Sequence, residues 1–583
     1  DMGQNMVGVP EITLKGMKAG QEINLRYAEV KYPDLPRYAG NEGMIMLENI
    51  RAAMAQDKYI TKGGNEMIAP RFTYHGYRFI EITGIDKALP LEDVKGVVLS
   101  SIDGLASKYE TSNEKVNQLW HNIVWSTYAN FFSIPTDCPQ RNERLGWAGD
   151  ISVFSRTATY LVDVPQFLRR YLCAMRDVQR EDGRFPDVAP LGGGFGGLLW
   201  GSAGITVPWE VYQQYGDKSL LAEHYEAMCR YVDYVRTKNI NPETGVLEQE
   251  KVWGNLGDWL GPEDNKNDKT LMWEAYFLYD LDIMKKVAQI LGKKEDAEKF
   301  EKLYDERKSF FNRTYIDPQT AKTISSGTNG PEKGKLVDIQ TSYVLPLSFG
   351  IVNPEWKERF AANLAHTVQR ENVADDGKTY PAYSLMTGFI GTAWISKALS
   401  DNGYDEVAYN LLQQTTYPSW LYSVEQGATT IWERLNSYTH VDGFGENNRM
   451  NSFNHYSFGA VGAWMYAYSL GIMRDEHHPG FKQFVLCPKV DPTGKMTFAR
   501  GYYDSLYGRI ESAWEVKDGE VRYSFTVPAN TSATLYLTAA SMDSVTENGR
   551  ALQAGKEGIK EVTYQGGMCK AELLSGTYHF VVK

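Results

Sequence analysis

The stretch Thr136-Asp137-Cys138-Pro139-Gln140-Arg141-Asn142-Glu143-Arg144-Leu145-Gly146-Trp147-Ala148-Gly149-Asp150 gathers three carboxylates, two guanidinium groups and an indole. Pro139, Gly146 and Gly149 interrupt it too often for a regular helix or strand, so it reads as a loop, the kind of segment on which sites are built. Crowded carboxylates do not all stay ionised. One is pushed toward its protonated form and becomes a proton donor, while those paired with arginine keep their charge. Asp137, Glu143 and Asp150, with Arg141 and Arg144 as fixed cations and Trp147 as a flat apolar surface, therefore suit acid–base hydrolysis. The competing reading is a structural loop in which Asp137 and Asp150 cap helices and the arginines neutralise them.

A hydrolase of this kind needs a partner for its acid. The best candidate is Glu433, in Gly427-Ala428-Thr429-Thr430-Ile431-Trp432-Glu433-Arg434, where Trp432 offers stacking or desolvation. Taken alone, a glutamate between Trp and Arg also reads as a salt-bridged surface residue. Glu143 and Glu433 are far apart in sequence and must converge through the fold. Inverting glycosidases hold their two carboxyls about 6.5–9.5 Å apart to admit water, and an ionised Asp137 or Asp150 nearby would stabilise an oxocarbenium-like transition state. His455 reads as a hydroxyl ligand or as a helix-start histidine satisfied by a backbone carbonyl.

The elements that must position these residues follow from periodicity. From Asp1 to about Asp103, Glu11–Lys15, Glu22–Tyr27 and Tyr77–Thr83 alternate apolar and polar residues between turns, the pattern of a β-sandwich. Near Ser112 the period becomes helical, with Ser112 expected to cap a run to Trp125. Further helical runs are expected at 151–162, 164–180, 217–237, 270–291, 294–313, 354–371, 386–401, 403–414 and 454–473. Such helices, linked as antiparallel pairs, can close into a double ring around a cavity. The stretch Ala189 to Trp209, broken by glycines, Pro190 and Pro208, reads as a loop and fails as a membrane span. Alternation returns after Pro479, at Phe481–Leu486, Gly519–Val527, Ala533–Leu537 and Gly576–Val582.

The loop at 136–150 resembles the signature of the α-L-rhamnosidases of glycoside hydrolase family 78, typically Asp-Cys-Pro-x-Arg-x-Glu-Arg-x-Gly-Trp-x-Gly-Asp. Thr430-Ile431-Trp432-Glu433, followed by Asn454-His455-Tyr456, is similar to the family segment that holds the general base. The resemblance implies a multidomain chain: an N-terminal β-sandwich at 1–104, an (α/α)6-barrel catalytic domain at 105–478 and a C-terminal β-sandwich at 479–583. It implies Glu143 as general acid and Glu433 as base, with Asp137, Arg141, Trp147, Asp150, Trp200, Asp258, Trp259, Trp432 and His455 binding a sugar. Rhamnose carries a methyl group suited to such aromatic faces. Two departures stand out: Trp200-Gly201-Ser202-Ala203 where the family often has aspartate at the third position, and Asn142 where aspartate is common.

With 583 residues, 43% of them hydrophobic and 13% aromatic, the chain can bury several cores. A formal charge of −12 argues against nucleic acid or an anionic membrane surface as partner. Cys138, Cys173, Cys229, Cys487 and Cys569 are scattered and suggest neither a disulfide framework nor zinc. No cofactor or metal is expected, and the resemblance implies a carbohydrate partner. The start at Asp1 reads as processed or trimmed, with the first sandwich strands and a sugar-binding module expected upstream, so the start assigns no compartment; the sequence assigns no oligomeric state. Two alternatives remain: another inverting glycosidase or sugar phosphorylase on the same helical scaffold, and a non-catalytic carbohydrate-binding protein, since fold does not fix function.

Overall fold

The computed structural model describes residues 1–249 and 255–583. They divide into two compact units, each drawn from separated parts of the chain. The first comprises Asp1–Asp103, Gln118–Trp147 and Trp420–Gly459; the second comprises Gly104–Asn117, Ala148–Ser419 and Ala460–Lys583.

In the first unit the expected alternation forms two sheets. Strand Met6–Met17 pairs antiparallel with Gly64–Ile68, His75–Tyr77 and Val94–Val98, and Glu22–Ala28 lies between Gln56–Ile60 and Phe79–Thr83. Ile12 and Leu14 of one sheet meet Ile23, Leu25 and Tyr27 of the other in a closed core. Full burial of each such side chain contributes about 1.5–3 kcal/mol. A smaller apolar cluster joins Tyr38 and Met46 to Ala428, Trp432, Phe444 and Phe453, and so ties the segment carrying Glu433 to the strand-rich part of this unit.

The second unit holds most of the helices and the C-terminal sheets. Lys269–Ile290 and Lys294–Tyr315 form a helical hairpin; Gly292, at φ +71°, allows the turn between them. Asp217 and Asp268 cap their helices by accepting from the backbone N–H groups of Ser219 and Thr270. At the start of helix Glu114–Asn130 the capping side chain is Asn113, which accepts from Lys115 N and Val116 N. The expected cap, Ser112, instead accepts from Thr497 N.

Three other expectations are corrected. The supposed loop to Trp209 contains helices Leu198–Gly201 and Ala203–Tyr215, the latter with Pro208 inside it. Its residues 203–214 are all buried, so tertiary packing overrides the breakers; a Cβ on Gly204 would lie 2.2 Å from the Phe185 ring, so that glycine serves close approach, not a turn. The run at 454–473 is no continuous helix. It breaks into a 3-10 segment, Ser457–Val461, one α-turn, Gly462–Trp464, and a π segment, Met465–Ser469. Finally, Ser107–Thr111, read with the helical domain, is the edge strand of the seven-stranded C-terminal sheet and pairs with Phe498–Ser505. The second C-terminal sheet has five strands and begins at Ile472–Arg474, ahead of Pro479. Among the described residues no helix is long and apolar enough to cross a membrane.

Candidate active site

The loop from Thr136 closes on itself. Asp137 N donates to Leu145 O at 2.9 Å, and Leu145 N donates back to Asp137 Oδ1 at 2.8 Å. Arg144 sits at φ +52°, and its guanidinium donates to Pro139 O and to Tyr74 O while stacking on the Tyr74 ring, 4.0 Å from its centroid. The loop is therefore fixed before any ligand arrives.

Inside it lies Arg141, 1% exposed. Its Nε donates to Glu143 Oε2 and its Nη2 to Glu433 Oε2, each at 3.0 Å; Nη1 donates to Met450 O at 3.2 Å, and Asp137 Oδ2 stands 4.0 Å from Nη2. Burial opposes the charge of Arg141, but Cys138, Glu433, Glu143 and Asp137 around it outweigh that and hold the guanidinium firmly charged. The two glutamates thus share one planar fork.

Glu143 has two further donors: Trp147 Nε1 to Oε1 at 3.0 Å and Arg51 Nη1 to Oε2 at 2.8 Å. Glu433 is placed by its backbone, with Glu433 N donating to Ser452 O at 2.9 Å while His455 N donates to Ile431 O at 2.8 Å. This extended pairing explains why the chain from 454 does not begin as a helix. Glu29 supports it from below, accepting from Phe453 N, Asn49 Nδ2 and Asn5 Nδ2; burial pushes its carboxyl up to about 7. His455 is 2% exposed, and burial, with Arg141 adding repulsion, lowers its pKa to about 3, so the imidazole is neutral at working pH. Asp137, Cys138 and Glu143 bring potential metal-ligand atoms within 4.8 Å of one another. Burial raises the Cys138 thiol well above its ordinary range, and Arg141 supplies a cation to both carboxylates.

Asp137, Arg141, Glu143, Trp147, Trp432, Glu433 and His455 all belong to the first unit. Trp432 is 5% exposed, packs edge-on to Phe453 and lines a cavity of the first unit together with Glu29, Thr430 and Phe444. Asp150, Trp200, Asp258 and Trp259 belong to the second unit. Asp150 is buried in the first turn of helix Ala148–Leu161. Trp200 is buried between Gly149 and Gly196, where a Cβ on either glycine would lie within 2.5 Å of the indole. Trp259 is half-buried. Ser202 donates to Asp280 Oδ2 at 2.6 Å and to Leu198 O; burial raises Asp280 well above the usual carboxylate range. A carboxyl group is therefore present at this spot, supplied from helix Lys269–Ile290.

Asp258 departs from its expected role. Its oxygens accept from Gly388 N at 2.7 Å, from Gly391 N at 3.0 Å and from the Thr341 hydroxyl, and the group is 2% exposed. Three of its roughly four acceptor sites thus hold the chain around helix Phe389–Thr392. Asp258→Ala should therefore lower stability by about 1–3 kcal/mol, the cost of stranding buried donors. It should leave the KM of the folded fraction unchanged; thermal melting and saturation kinetics on one preparation check both.

Arg51, Glu29, Asn5 and Asn49 were not legible as site residues. They stand in strand-rich sequence with no local cluster of chemical groups, and only folding brings them to the loop.

The chain matches three family models: the bacterial alpha-L-rhamnosidase 6 hairpin glycosidase domain over residues 105–469, the concanavalin-like domain over 1–100 and the C-terminal domain over 471–551. It is 37% identical over 548 residues to an alpha-L-rhamnosidase of Streptomyces avermitilis, covering 94% of this chain and 49% of the relative. It is 34% identical over 597 residues to an alpha-L-rhamnosidase of Formosa agariphila, covering 100% and 59%. It is also similar to the crystal structure of the Streptomyces avermitilis alpha-L-rhamnosidase complexed with L-rhamnose, with a TM-score of 0.87 at 35% identity over 100% of this chain and 52% of that one. The chain thus spans about half the length of the relatives it matches.

Proposed function

The chain belongs to the bacterial α-L-rhamnosidase family, and from that premise we propose that it is an inverting glycoside hydrolase releasing terminal α-L-rhamnose from a glycan or glycoside. Glu143 is the general acid and Glu433 the general base, roles taken from the signature segments and not from charge pairing, since both carboxyls accept from arginine. Asp137, Arg141, Trp147, Asp150, Trp200, Trp259, Trp432 and His455 bind the sugar, and no metal takes part. The proposed catalytic domain is 105–478, between sandwiches at 1–104 and 479–583, with Ser107–Thr111 and Ile472–Arg474 crossing into the C-terminal sheets. The observation that carries the pairing is the single buried Arg141 donating to both Glu143 and Glu433, because it brings the two carboxyls to one place; the choice of inversion comes from the family resemblance.

The chemistry divides between them. Glu143 in its protonated form gives its proton to the glycosidic oxygen as the C–O bond breaks, and Glu433 takes a proton from the water that attacks the anomeric carbon from the opposite face. Neutral His455 can donate to or accept from a sugar hydroxyl without adding charge beside the developing cation. A phosphorylase on the same scaffold would need an open cationic nest beside the base. Arg434, the cation next to Glu433, already donates to Asn451 Oδ1 and Asn447 O, which favours hydrolysis.

Inversion converts an α-rhamnoside into β-rhamnose as the first product. Proton NMR of an α-rhamnoside digest, read before mutarotation, should show the β-anomer appearing first. An initial α-anomer would mean retention, with carboxyls about 5–5.5 Å apart, and Glu433 would then be a nucleophile or the wrong residue.

A further inference from the structure

Resting on the reading of Glu143 as the acid, we propose that Arg51, from the N-terminal sandwich, is a positioning residue that keeps the transferable proton of Glu143 on Oε1. Oε2 of Glu143 receives two guanidinium donors, Arg51 Nη1 at 2.8 Å and Arg141 Nε at 3.0 Å. Among the described residues, Oε1 receives only the Trp147 indole N–H, at 3.0 Å. A hydrogen on Oε2 would point into two cationic N–H groups that accept nothing. A hydrogen on Oε1 stands beside a single neutral donor and can swing toward an acceptor oxygen. The pair of arginines therefore selects which oxygen of the acid carries the proton, and the leaving oxygen of the sugar must lie on the Oε1 side.

Arg141 cannot set this alone, because its other nitrogens are committed to Glu433 and Met450 O. Arg51 is held for the task. Its Nε donates to Arg449 O at 2.8 Å, its Nη2 lies 3.8 Å from Met450 Sδ, and the next residue, Ala52, donates its N–H to Asn142 Oδ1 at 3.3 Å. Arg51 itself sits at φ +58°, ψ −117°, a conformation that a residue with a side chain adopts only when its surroundings enforce it. Strain at a residue that bonds the acid is the pattern expected where function sets the backbone. Asn142, the departure from the family's aspartate, accepts from this same turn and so helps to seat it.

The test compares Arg51→Gln and Arg51→Met with wild type on two substrates, a dinitrophenyl α-rhamnoside, whose leaving group needs little protonation, and an unactivated rhamnosyl disaccharide. Positioned general acids supply on the order of 10²–10⁴-fold. Loss of the proton's placement should cost the disaccharide on the order of 10-fold more in kcat than it costs the activated substrate, with KM little changed. Arg51→Lys, which keeps a cationic donor, should recover part of the loss. Equal losses on the two substrates, no loss at all, a loss carried in KM, or a lysine variant no better than glutamine would each overturn the proposal. Using both neutral variants, with melting curves recorded, keeps a folding defect of one from deciding the matter. Glu143→Gln in the same assays is the separate control: if its loss does not depend on the leaving group, the assignment of the acid fails, whatever Arg51 does.

Discussion

Glu433→Gln is expected to abolish turnover of activated and unactivated rhamnosides alike, whereas Glu143→Gln should do so on a disaccharide and spare much of the rate on a dinitrophenyl rhamnoside. The asymmetry follows from the two proton transfers. A good leaving group departs without the acid, but no leaving group replaces the base that activates water. Each role contributes on the order of 10²–10⁴-fold, so the two variants separate on the activated substrate by a similar factor. Glutamine matches glutamate in shape, and Arg141 can still donate to its amide oxygen, so both variants should fold. If Glu433→Gln retains near wild-type activity on either substrate, the base is some other group.

Arg141→Met is expected to remove both activity and much of the stability of the site. The side chain is 1% exposed and stands among Asp137, Glu143 and Glu433. Deleting it leaves carboxylates crowded together without their common cation, and removing one partner of a buried ion pair costs about 3–5 kcal/mol. Arg141→Lys should fold better yet stay impaired, because an ammonium is a point donor and cannot fork between two glutamates. A specific coupling follows: Arg141→Met combined with Glu433→Gln should be more stable than Arg141→Met alone, since the second change removes one of the stranded charges. Urea midpoints of the four proteins in that cycle measure it. Additive midpoints would show that Arg141 and Glu433 do not interact as the 3.0 Å contact requires.

The parts legible in the sequence were those whose signal is local. Asp137, Arg141, Glu143 and Trp147 are crowded into one loop, and Glu433 stands between an aromatic and a cation, so side-chain type and spacing alone announce chemistry. The strands Glu22–Ala28, Glu520–Val527 and Gly576–Val582, and the part Glu11–Lys15 of Met6–Met17, alternate with period two because one face of each is buried. The hairpin at Lys269–Tyr315 reads from its length and its glycine turn.

What only the tertiary structure decided lacks such a signal. Helix Ala203–Tyr215 is buried along nearly its whole length, so it has no polar face to give a 3.6-residue period, and Pro208 reads as a break. Ser107–Thr111 finds its partner strand only near residue 500, a pairing that no window of sequence contains. Asp258 looks like a sugar ligand beside Trp259, and only the backbone N–H groups of Gly388 and Gly391 reveal a scaffold role. The sequence alone determined which carboxyl, guanidinium and imidazole groups the chain carries and which of them share one loop. The structure decided that Arg141 joins the two glutamates and that Arg51, 92 residues from Glu143, reaches its carboxyl, because hydrogen bonds select partners by distance and direction, and folding sets both.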